Sequence, residues 1–240
     1  MNLQRFYRKC KACFHIIRAN AQPSFSQAGE DIIIQYLFQL LKITRPTYLD
    51  IGANLPVNGS NTYFFYNKGS RGVCIEPDPE LYRRLVKSRP GDKILNIGIG
   101  IQETAAADLY IFPHPYRGWN TFSKEEANKR EGESGIKVQE IKSLQLLNVN
   151  DVIKNNFSSR PNFISLDVEG LDFDILKSLD FEKYSPEVIC VETITFSTKL
   201  EEEKTQDIIS FIVSKGYFIF ADTHINTIFC KSEVYKLQSA

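Results

Sequence analysis

The stretch Tyr48–Asn54 reads YLDIGAN, and the stretch Gly72–Glu76 that follows it reads GVCIE. Each is a short apolar run that ends at an acidic residue, which is typical of a parallel strand buried on both faces. Asn61–Asn67, between them, is predicted to form the crossover helix, and Asp78-Pro79 is predicted to begin the next helix. With a third strand predicted over Lys93–Gly98, these elements form half of a doubly wound α/β fold.

The second half of the chain extends the same sheet. Two more parallel strands are predicted over Asn162–Val168 and Glu187–Val191. Tyr217–Ala221 and Ile225–Cys230 are separated by three residues, too few for a parallel crossover, so they must pair antiparallel. Further helices are predicted over Asp31–Lys42 with Ser26 as its cap, from Asn150 or Asp151 to Phe157, from Asp172 as a cap, and over Glu201–Lys215. The prediction is a mostly parallel sheet with helices on both faces and a C-terminal antiparallel hairpin.

The length and composition of the chain indicate a single domain of ordinary size. We place it at 26–240, with an inserted hairpin and loop at about 105–142, after a basic helical segment at 1–25. Lys plus Arg and Asp plus Glu are both 29, which argues against a protein that mainly grips nucleic acid. No apolar run approaches the length of a membrane span.

The cysteines indicate a reducing environment. They are five, an odd number, and Cys74, Cys190 and Cys230 lie inside apolar runs, so we expect buried thiols and a cytoplasmic protein. Cys10 and Cys13 form a C-x-x-C, but a second ligand pair and a preceding strand are missing, which argues against zinc or redox chemistry.

Acidic residues end several of the predicted parallel strands, where an open α/β sheet binds its ligands. Gly52 would let the backbone after the first strand approach a ligand, and Glu76, 26 residues after Asp50, could accept two hydrogen bonds from a ribose diol. A pyrophosphate would need the G-x-G-x-x-G pattern, but only Gly52 is present before Gly59. The pattern therefore favours an adenosyl ligand without phosphates over a nicotinamide dinucleotide.

Positions in the predicted sheet suggest a role for each of these residues. Asp50 and Gly52 are assigned to the methionine side of an S-adenosylmethionine cofactor, and Glu76 to its ribose. Asp78 and Asn96 or Ile97 are assigned to the adenine, and Asp167 to the cofactor face near the point of transfer. The alternative is that Asp50 only caps its turn and that Asp167 and Glu169 only cap the next helix.

Six segments in order form a specific pattern: Ser26–Asp31, Asp50–Asn54, Gly59–Thr62, Gly72–Pro77, Asp167–Gly170 and Val191–Thr193. Through them the chain resembles the FkbM-type methyltransferases over Phe25–Cys230. The resemblance implies a Rossmann-like class I fold with a seven-stranded sheet, and methyl transfer from S-adenosylmethionine to a hydroxyl oxygen of a glycan or secondary metabolite. It adds Gln27, Glu30 and Asn54 to the candidate cofactor-binding residues. Pro56, in a loop that often carries a smaller residue, is a departure and removes one amide donor.

A hydroxyl acceptor is a weak nucleophile, so the site needs a base. Asp167, Glu169, Glu192 and His224 are the candidate catalytic residues, His224 because of its pKa and Glu192 because it ends a buried strand. Alternatively, Asp167 with Glu169 or Glu192 would hold Mg²⁺ to polarise the acceptor oxygen.

The acceptor is expected to bind the polar and aromatic stretch from His114 to Thr121. Its candidate contacts are His114, Tyr116, Arg117, Trp119, Asn120 and Thr121. The charged run Lys124–Gly135 beside it could move as a lid, although an exposed hairpin tip with Trp119 packed on the core explains the stretch equally well. The expected partner is a small molecule or glycan, and self-association is left open. The alternatives to a methyltransferase are a non-catalytic adenosyl-binding module and a nicotinamide-dependent oxidoreductase.

Overall fold

A computed structural model describes residues 22–101 and 104–238 of the chain. The basic segment expected to be helical therefore lies almost wholly outside the described residues, together with Cys10 and Cys13.

Within the described residues, the main sheet has seven strands: β1 (Tyr48–Ile51), β2 (Gly72–Ile75), β3 (Lys93–Leu95), β7 (Phe163–Leu166), β8 (Val188–Glu192), β9 (Tyr217–Asp222) and β10 (Asn226–Lys231). Their order is β3-β2-β1-β7-β8-β10-β9. The first five are parallel to one another, whereas β10 pairs antiparallel with both β8 and β9. The predicted parallel sheet and its terminal antiparallel hairpin are confirmed.

The strand order reverses at β1. The chain runs from β1 outward through β2 to β3, and it returns to the other side of β1 as β7. All four residues of β1 and of β7 are buried, which explains why six of these eight residues are apolar. The carboxyl ends of these two strands mark the point at which an open α/β sheet binds its ligand.

Helices cover both faces of the sheet. They are α1 (Glu30–Leu40), α2 (Tyr63–Asn67), α3 (Pro79–Ser88), α4 (Lys124–Ser134), α5 (Val149–Asn156), α6 (Asp172–Ser178), α7 (Phe181–Tyr184), α8 (Gln206–Ser214) and α9 (Ser232–Leu237). Two clusters of buried apolar side chains form the core, one centred on Leu49, Ile164 and Ile189 and the other on Tyr48, Phe163 and Cys190. Because these residues alternate along β1, β7 and β8, the two clusters lie on opposite faces of the sheet. The N-cap of α3 is Asp78 with Pro79 at the first position, as predicted.

Three other helix starts differ from the predictions. Gly29 rather than Ser26 is the N-cap of α1, although the Ser26 hydroxyl accepts hydrogen bonds from the amides of Gly29 and Asp31. Asp172 is the first residue of α6 and not its cap, because its carboxylate accepts from the amides of Val168 and Gly170 before the helix. The predicted helix Glu201–Lys215 begins only at Gln206, since Lys204 forms a bridge with Ile194.

The predicted strand Lys93–Gly98 is two strands that belong to different sheets. After β3 the chain turns at Asn96, whose side chain donates to the carbonyls of Glu76 and Pro77 at 2.8 Å each, and it continues as β4 (Gly98–Gly100). The second sheet has the order β4-β6-β5, with β5 (Thr104–Ile111) antiparallel to β6 (Glu140–Asn148). Between β5 and β6 lie a 3₁₀ turn, Tyr116–Trp119, and helix α4. This second sheet brings the segment Tyr116–Thr121 over the carboxyl end of the main sheet.

No helix in the two described ranges combines the length and apolar character that crossing a membrane requires.

Candidate cofactor and acceptor site

Gly52 allows the turn after β1 to lie directly against the end of β7. Its φ is +82°, and its amide donates to the Ile75 carbonyl at 3.0 Å. A Cβ atom at this position would lie 1.8 Å from the carbonyl oxygen of Asp167. Only glycine fits this approach without moving backbone, which explains the glycine of the YLDIGAN stretch.

Glu76 is fixed at the end of β2 by backbone amides. Its two oxygens accept from the Asn54 amide at 2.7 Å and from the Asp78 amide at 2.8 Å. Burial raises the pKa of Glu76 to about 8, although the two amides oppose this shift. Each carboxylate oxygen keeps a second lone pair, so Glu76 can still accept from a ligand hydroxyl.

A cavity of about 590 Å³, part of it open to solvent, lies beside Gly52 and Glu76. The cavity is lined by Ile51, Gly52, Asn54, Ile75, Glu76, Pro77, Leu81, Gly98, Ile99, Leu109, Arg117, Gly118, Asn120, Phe122, Asp167, Val168, Glu169 and Leu171. We call it the first cavity.

The segment between β5 and α4 closes one side of the first cavity. Arg117 donates to Asp78 at 2.5 Å and pairs with Glu80 at 3.0 Å, and the Asn120 amide donates to Asp78 at 3.0 Å. The carboxylate of Asp78 therefore serves this contact as well as capping α3. Arg117 and Asn120, expected at the acceptor, line the first cavity instead.

A second, larger cavity adjoins the first. We call it the cleft; it encloses about 1400 Å³, including open solvent. Asp167 and Glu169 line both cavities, whereas Glu192 lines the cleft alone. The aromatic side of the cleft is formed by Trp119 and Phe196, whose ring centroids are 5.1 Å apart, and by Phe173.

Asp167, Glu169 and Glu192 bring one carboxylate oxygen each within 4.8 Å of one another. Burial raises the pKa of all three carboxyl groups. The neighbouring carboxylates raise the pKa of Asp167 and of Glu192 further, and the pKa of Glu192 reaches about 10. Oδ1 of Asp167 is buried without a hydrogen-bond partner in the described part of the chain. These carboxylates are therefore ready to take up a proton or a cation.

Arg130 is the cation in contact with this cluster. Its side chain is 2% exposed, and it donates to Glu169 at 2.7 Å and to the Trp119 carbonyl at 2.7 Å. Its guanidinium lies 4.8 Å from the centroid of the Phe196 ring. Arg130 lowers the pKa of the three carboxylates against the effect of burial, and it joins helix α4 to the site.

Asp50 lines neither cavity. It is 5% exposed and accepts from the Thr62 hydroxyl at 2.5 Å, and the Arg89 guanidinium lies 3.8 Å away. Arg89 is fully buried and also bonds Thr62 and Asp92. In this structure Asp50 belongs to a buried polar network with Thr62 and Arg89, which is neither the predicted cofactor contact nor the predicted cap of the turn.

The remaining expected cofactor residues divide between the cavities and the interior. Gln27 lines the cleft, and Asn54 lines both cavities. Glu30 is buried and accepts from Thr223 at 2.7 Å and Asn226 at 3.1 Å, so it holds α1 to the terminal hairpin. Asn96 and Ile97 line neither cavity.

Among the other expected acceptor and base residues, only Trp119 lines the cleft. Tyr116 packs on Trp119 with 4.6 Å between ring centroids, and the Thr121 hydroxyl donates to the Glu169 carbonyl at 2.8 Å. His114 is exposed. His224 is exposed in the β9–β10 turn with φ +76°, and it lines neither cavity, so the structure does not bring it to the carboxylates.

Sequence reasoning missed Arg130, Phe196 and Arg89. Arg130 lies in a charged run that resembles a solvated helix face, and its contact with Glu169 spans 39 residues of chain. The one signal that could have found it is electrostatic, because three acids at neighbouring strand ends need a compensating cation.

The fold and the two cavities define an α/β protein whose candidate ligand site lies at the strand-order reversal. The sequence model described as methyltransferase FkbM domain matches residues 50–219, and the chain belongs to this family. Its fold is the Rossmann-like methyltransferase fold.

Solved structures that resemble this chain include three methyltransferases. The O-methyltransferase from Bacillus cereus in complex with SAH is 11% identical, with 91% of this chain and 88% of that chain covered and a TM-score of 0.43. The 1,6-didemethyltoxoflavin-N1-methyltransferase from Burkholderia thailandensis is 8% identical, with 96% and 89% covered and a TM-score of 0.43. The TehB-like methyltransferase from Corynebacterium glutamicum is 10% identical, with 96% and 100% covered and a TM-score of 0.42. No curated protein matches the chain significantly.

Proposed function

We propose that this chain transfers a methyl group from S-adenosylmethionine to a hydroxyl oxygen of a sugar or secondary metabolite. The observation that carries the proposal is the pair of adjoining cavities that share Asp167, one of them beside Glu76 and the glycine turn. A methyl donor in the first cavity and an acceptor in the cleft would meet at that residue. Family membership supports methyl transfer.

The residues that line the first cavity support an adenosyl ligand. Glu76 would accept from the ribose hydroxyls, Gly52 would let the donor approach the backbone, and the apolar side chains of Ile75, Leu81 and Ile99 would contact the adenine. The bound donor supplies a sulfonium methyl group that an acceptor oxygen attacks in line, with a neutral thioether as the leaving group. Asp78 would act through Arg117, since their ion pair holds Tyr116–Thr121 against the cavity.

We assign proton removal to Asp167. It lies at the boundary of the two cavities, its Oδ1 is unpartnered, and its raised pKa suits a group that takes the hydroxyl proton as the new carbon–oxygen bond forms. Glu169 is less free because Arg130 occupies one of its oxygens. The site mainly aligns the acceptor oxygen with the methyl group and excludes water.

Mg²⁺ held by Asp167, Glu169 and Glu192 is the alternative way to activate the hydroxyl, since their oxygens lie within 4.8 Å of one another. We favour the route without metal, because Arg130 already places a cation 2.7 Å from Glu169. Dialysis against EDTA should then leave methyl transfer unchanged. A rate that disappears after EDTA and returns with Mg²⁺ would establish the metal route.

Calorimetric titration of the protein with S-adenosylmethionine tests the donor site. At pH 9, above the pKa of Glu76, Glu76→Gln should weaken binding about 100-fold, because hydrogen bonds from the ribose to a charged group contribute about 1.5–3 kcal/mol each. Glu182→Gln, an exposed acid in α7, removes the same charge and should bind as the wild type does. Folded wild-type protein that does not bind the donor would refute the proposal, and heat from NADH instead would favour an oxidoreductase.

A further inference from the structure

The cleft is lined by far more acidic than basic side chains. Among the described residues that line it, six are carboxylates and two are cations. The carboxylates are Glu126, Asp167, Glu169, Asp172, Glu192 and Glu202, and the cations are Lys129 and Arg130. An acceptor that carries a phosphate or carboxylate would be repelled by this lining.

Most of these charges already have partners within the protein. Arg130 is paired with Glu169 at 2.7 Å and lies 3.8 Å from Glu126. Asp172 accepts from two backbone amides at 3.1 and 3.3 Å. Lys129 is exposed at the rim. The two inner carboxylates that remain are Asp167 and Glu192.

Glu192 is the carboxylate left for the acceptor. It belongs to β8 and pairs with Asn226 through the backbone, but its carboxylate makes no hydrogen bond or ion pair within residues 22–101 and 104–238. Asp167 lines both cavities and can face the cationic donor, whereas Glu192 lines only the cleft. The other charged groups near Glu192 are Asp167, Glu169, Asp172 and Arg130, three acids against one base that is already paired.

The aromatic side of the cleft suits the same kind of ligand. Trp119 and Phe196 form an edge-to-face pair beside the carboxylates, and Phe196 already holds the guanidinium of Arg130 against its ring. Aromatic faces combined with carboxylates bind ammonium groups through cation–π and ionic contacts together. A neutral hydroxyl would give Glu192 one hydrogen bond, whereas an ammonium group would let this carboxyl ionise against an opposite charge.

We propose that the acceptor carries a protonated amine next to the hydroxyl that is methylated, and that Glu192 binds this amine. The class of acceptor is an amino sugar or another vicinal amino alcohol. This inference rests on the proposed function, because it takes the cleft to be the acceptor site.

Three small cyclic probes differ only in the group next to the hydroxyl, which is positive, neutral or negative. They are trans-2-aminocyclohexanol, trans-1,2-cyclohexanediol and trans-2-hydroxycyclohexanecarboxylate. Their dissociation constants are measured by NMR titration on protein saturated with S-adenosylhomocysteine. The amino alcohol should bind at least about tenfold more tightly than the diol, since an ion pair replaces a neutral hydrogen bond, and the hydroxy acid should bind most weakly. Glu192→Gln should lower the affinity for the amino alcohol to that for the diol, and it should leave the affinity for the diol unchanged. Glu203→Gln, an exposed acid outside the cleft, is the charge-matched control and should change neither.

An amino alcohol that binds no better than the diol, or that keeps its advantage in Glu192→Gln, overturns the inference. So does protein that binds S-adenosylhomocysteine but none of the probes, and the proposed function then still stands. Protein that does not bind S-adenosylhomocysteine overturns the proposed function itself. If Glu192→Gln fails to fold, titration of the wild type with trans-2-acetamidocyclohexanol, which has the same ring without the positive charge, replaces it. Binding of this neutral analogue as tightly as the amino alcohol would overturn the inference.

Discussion

Replacement of Gly52 by alanine tests the close contact on which the proposed donor site depends. The new Cβ would lie 1.8 Å from the Asp167 carbonyl oxygen, and the residue would have to keep a φ of +82°. This left-handed backbone conformation costs an alanine about 1–2 kcal/mol of folding free energy. Relief of the clash requires the end of β7 to move, and such overpacking typically costs a further 1–3 kcal/mol or so. We therefore expect Gly52→Ala to lower the free energy of unfolding by about 2–5 kcal/mol.

Gly59→Ala separates these two costs. Gly59 has a similar φ of +77°, but a Cβ there would meet only a side-chain carbon of Gln27 at 4.0 Å. This variant should lose only the conformational part, about 1–2 kcal/mol, and should keep its affinity for S-adenosylhomocysteine. Urea unfolding followed by circular dichroism gives the stabilities, and calorimetry gives the affinities. Equal loss of stability in the two variants, or an unchanged affinity in Gly52→Ala, would refute the role of this contact.

Three further variants follow from the same contacts. Arg89→Met should destabilise the protein by about 3–5 kcal/mol in urea unfolding, because it leaves buried carboxylates unpaired, whereas exposed Arg84→Met should change stability by less than about 1 kcal/mol. Arg117→Ala should raise the dissociation rate of S-adenosylhomocysteine in stopped flow with little change in its association rate, because the ion pair with Asp78 is lost. Exposed Lys124→Ala should change neither rate. An unchanged or slower dissociation in Arg117→Ala would contradict the role of the ion pair in closing the first cavity. Glu192→Gln should be more stable than the wild type by a margin that is absent near pH 4 and grows by up to about 1.4 kcal/mol per pH unit towards pH 9. The sign follows because the pKa of Glu192 is raised from 4.5 to about 10, so the unfolded chain ionises before the folded one; a margin independent of pH would show that Glu192 is not desolvated.

The parts of the site that the sequence predicted are those carried by local pattern. Gly52 and Glu76 end short apolar strands whose neighbours are fixed by the right-handed crossover rule, so their meeting at one edge could be derived before the structure. The terminal hairpin followed from a connection of three residues.

The parts that the sequence did not predict depend on contacts across the chain. Asp50 lies inside β1 and contacts Arg89 and Thr62, whereas Glu76 follows the last residue of β2 and lines the first cavity. The sequence pattern does not distinguish the two acids, because it does not show at which residue each strand ends. Arg117 and Trp119 are two residues apart and serve different cavities, which only the packing of the second sheet decides.

Transfer of an isotopically labelled methyl group tests the central claim most directly. The protein is incubated with labelled S-adenosylmethionine and an extract of the cell that produces it, and products that gain one labelled methyl are fragmented by mass spectrometry. We predict a product labelled on an oxygen, formed by the wild type and by Glu182→Gln, and formed much more slowly by Glu76→Gln at a donor concentration below its dissociation constant. Protein that binds the donor and labels nothing would be a non-catalytic binding module, and a label on nitrogen or carbon would contradict the proposed chemistry.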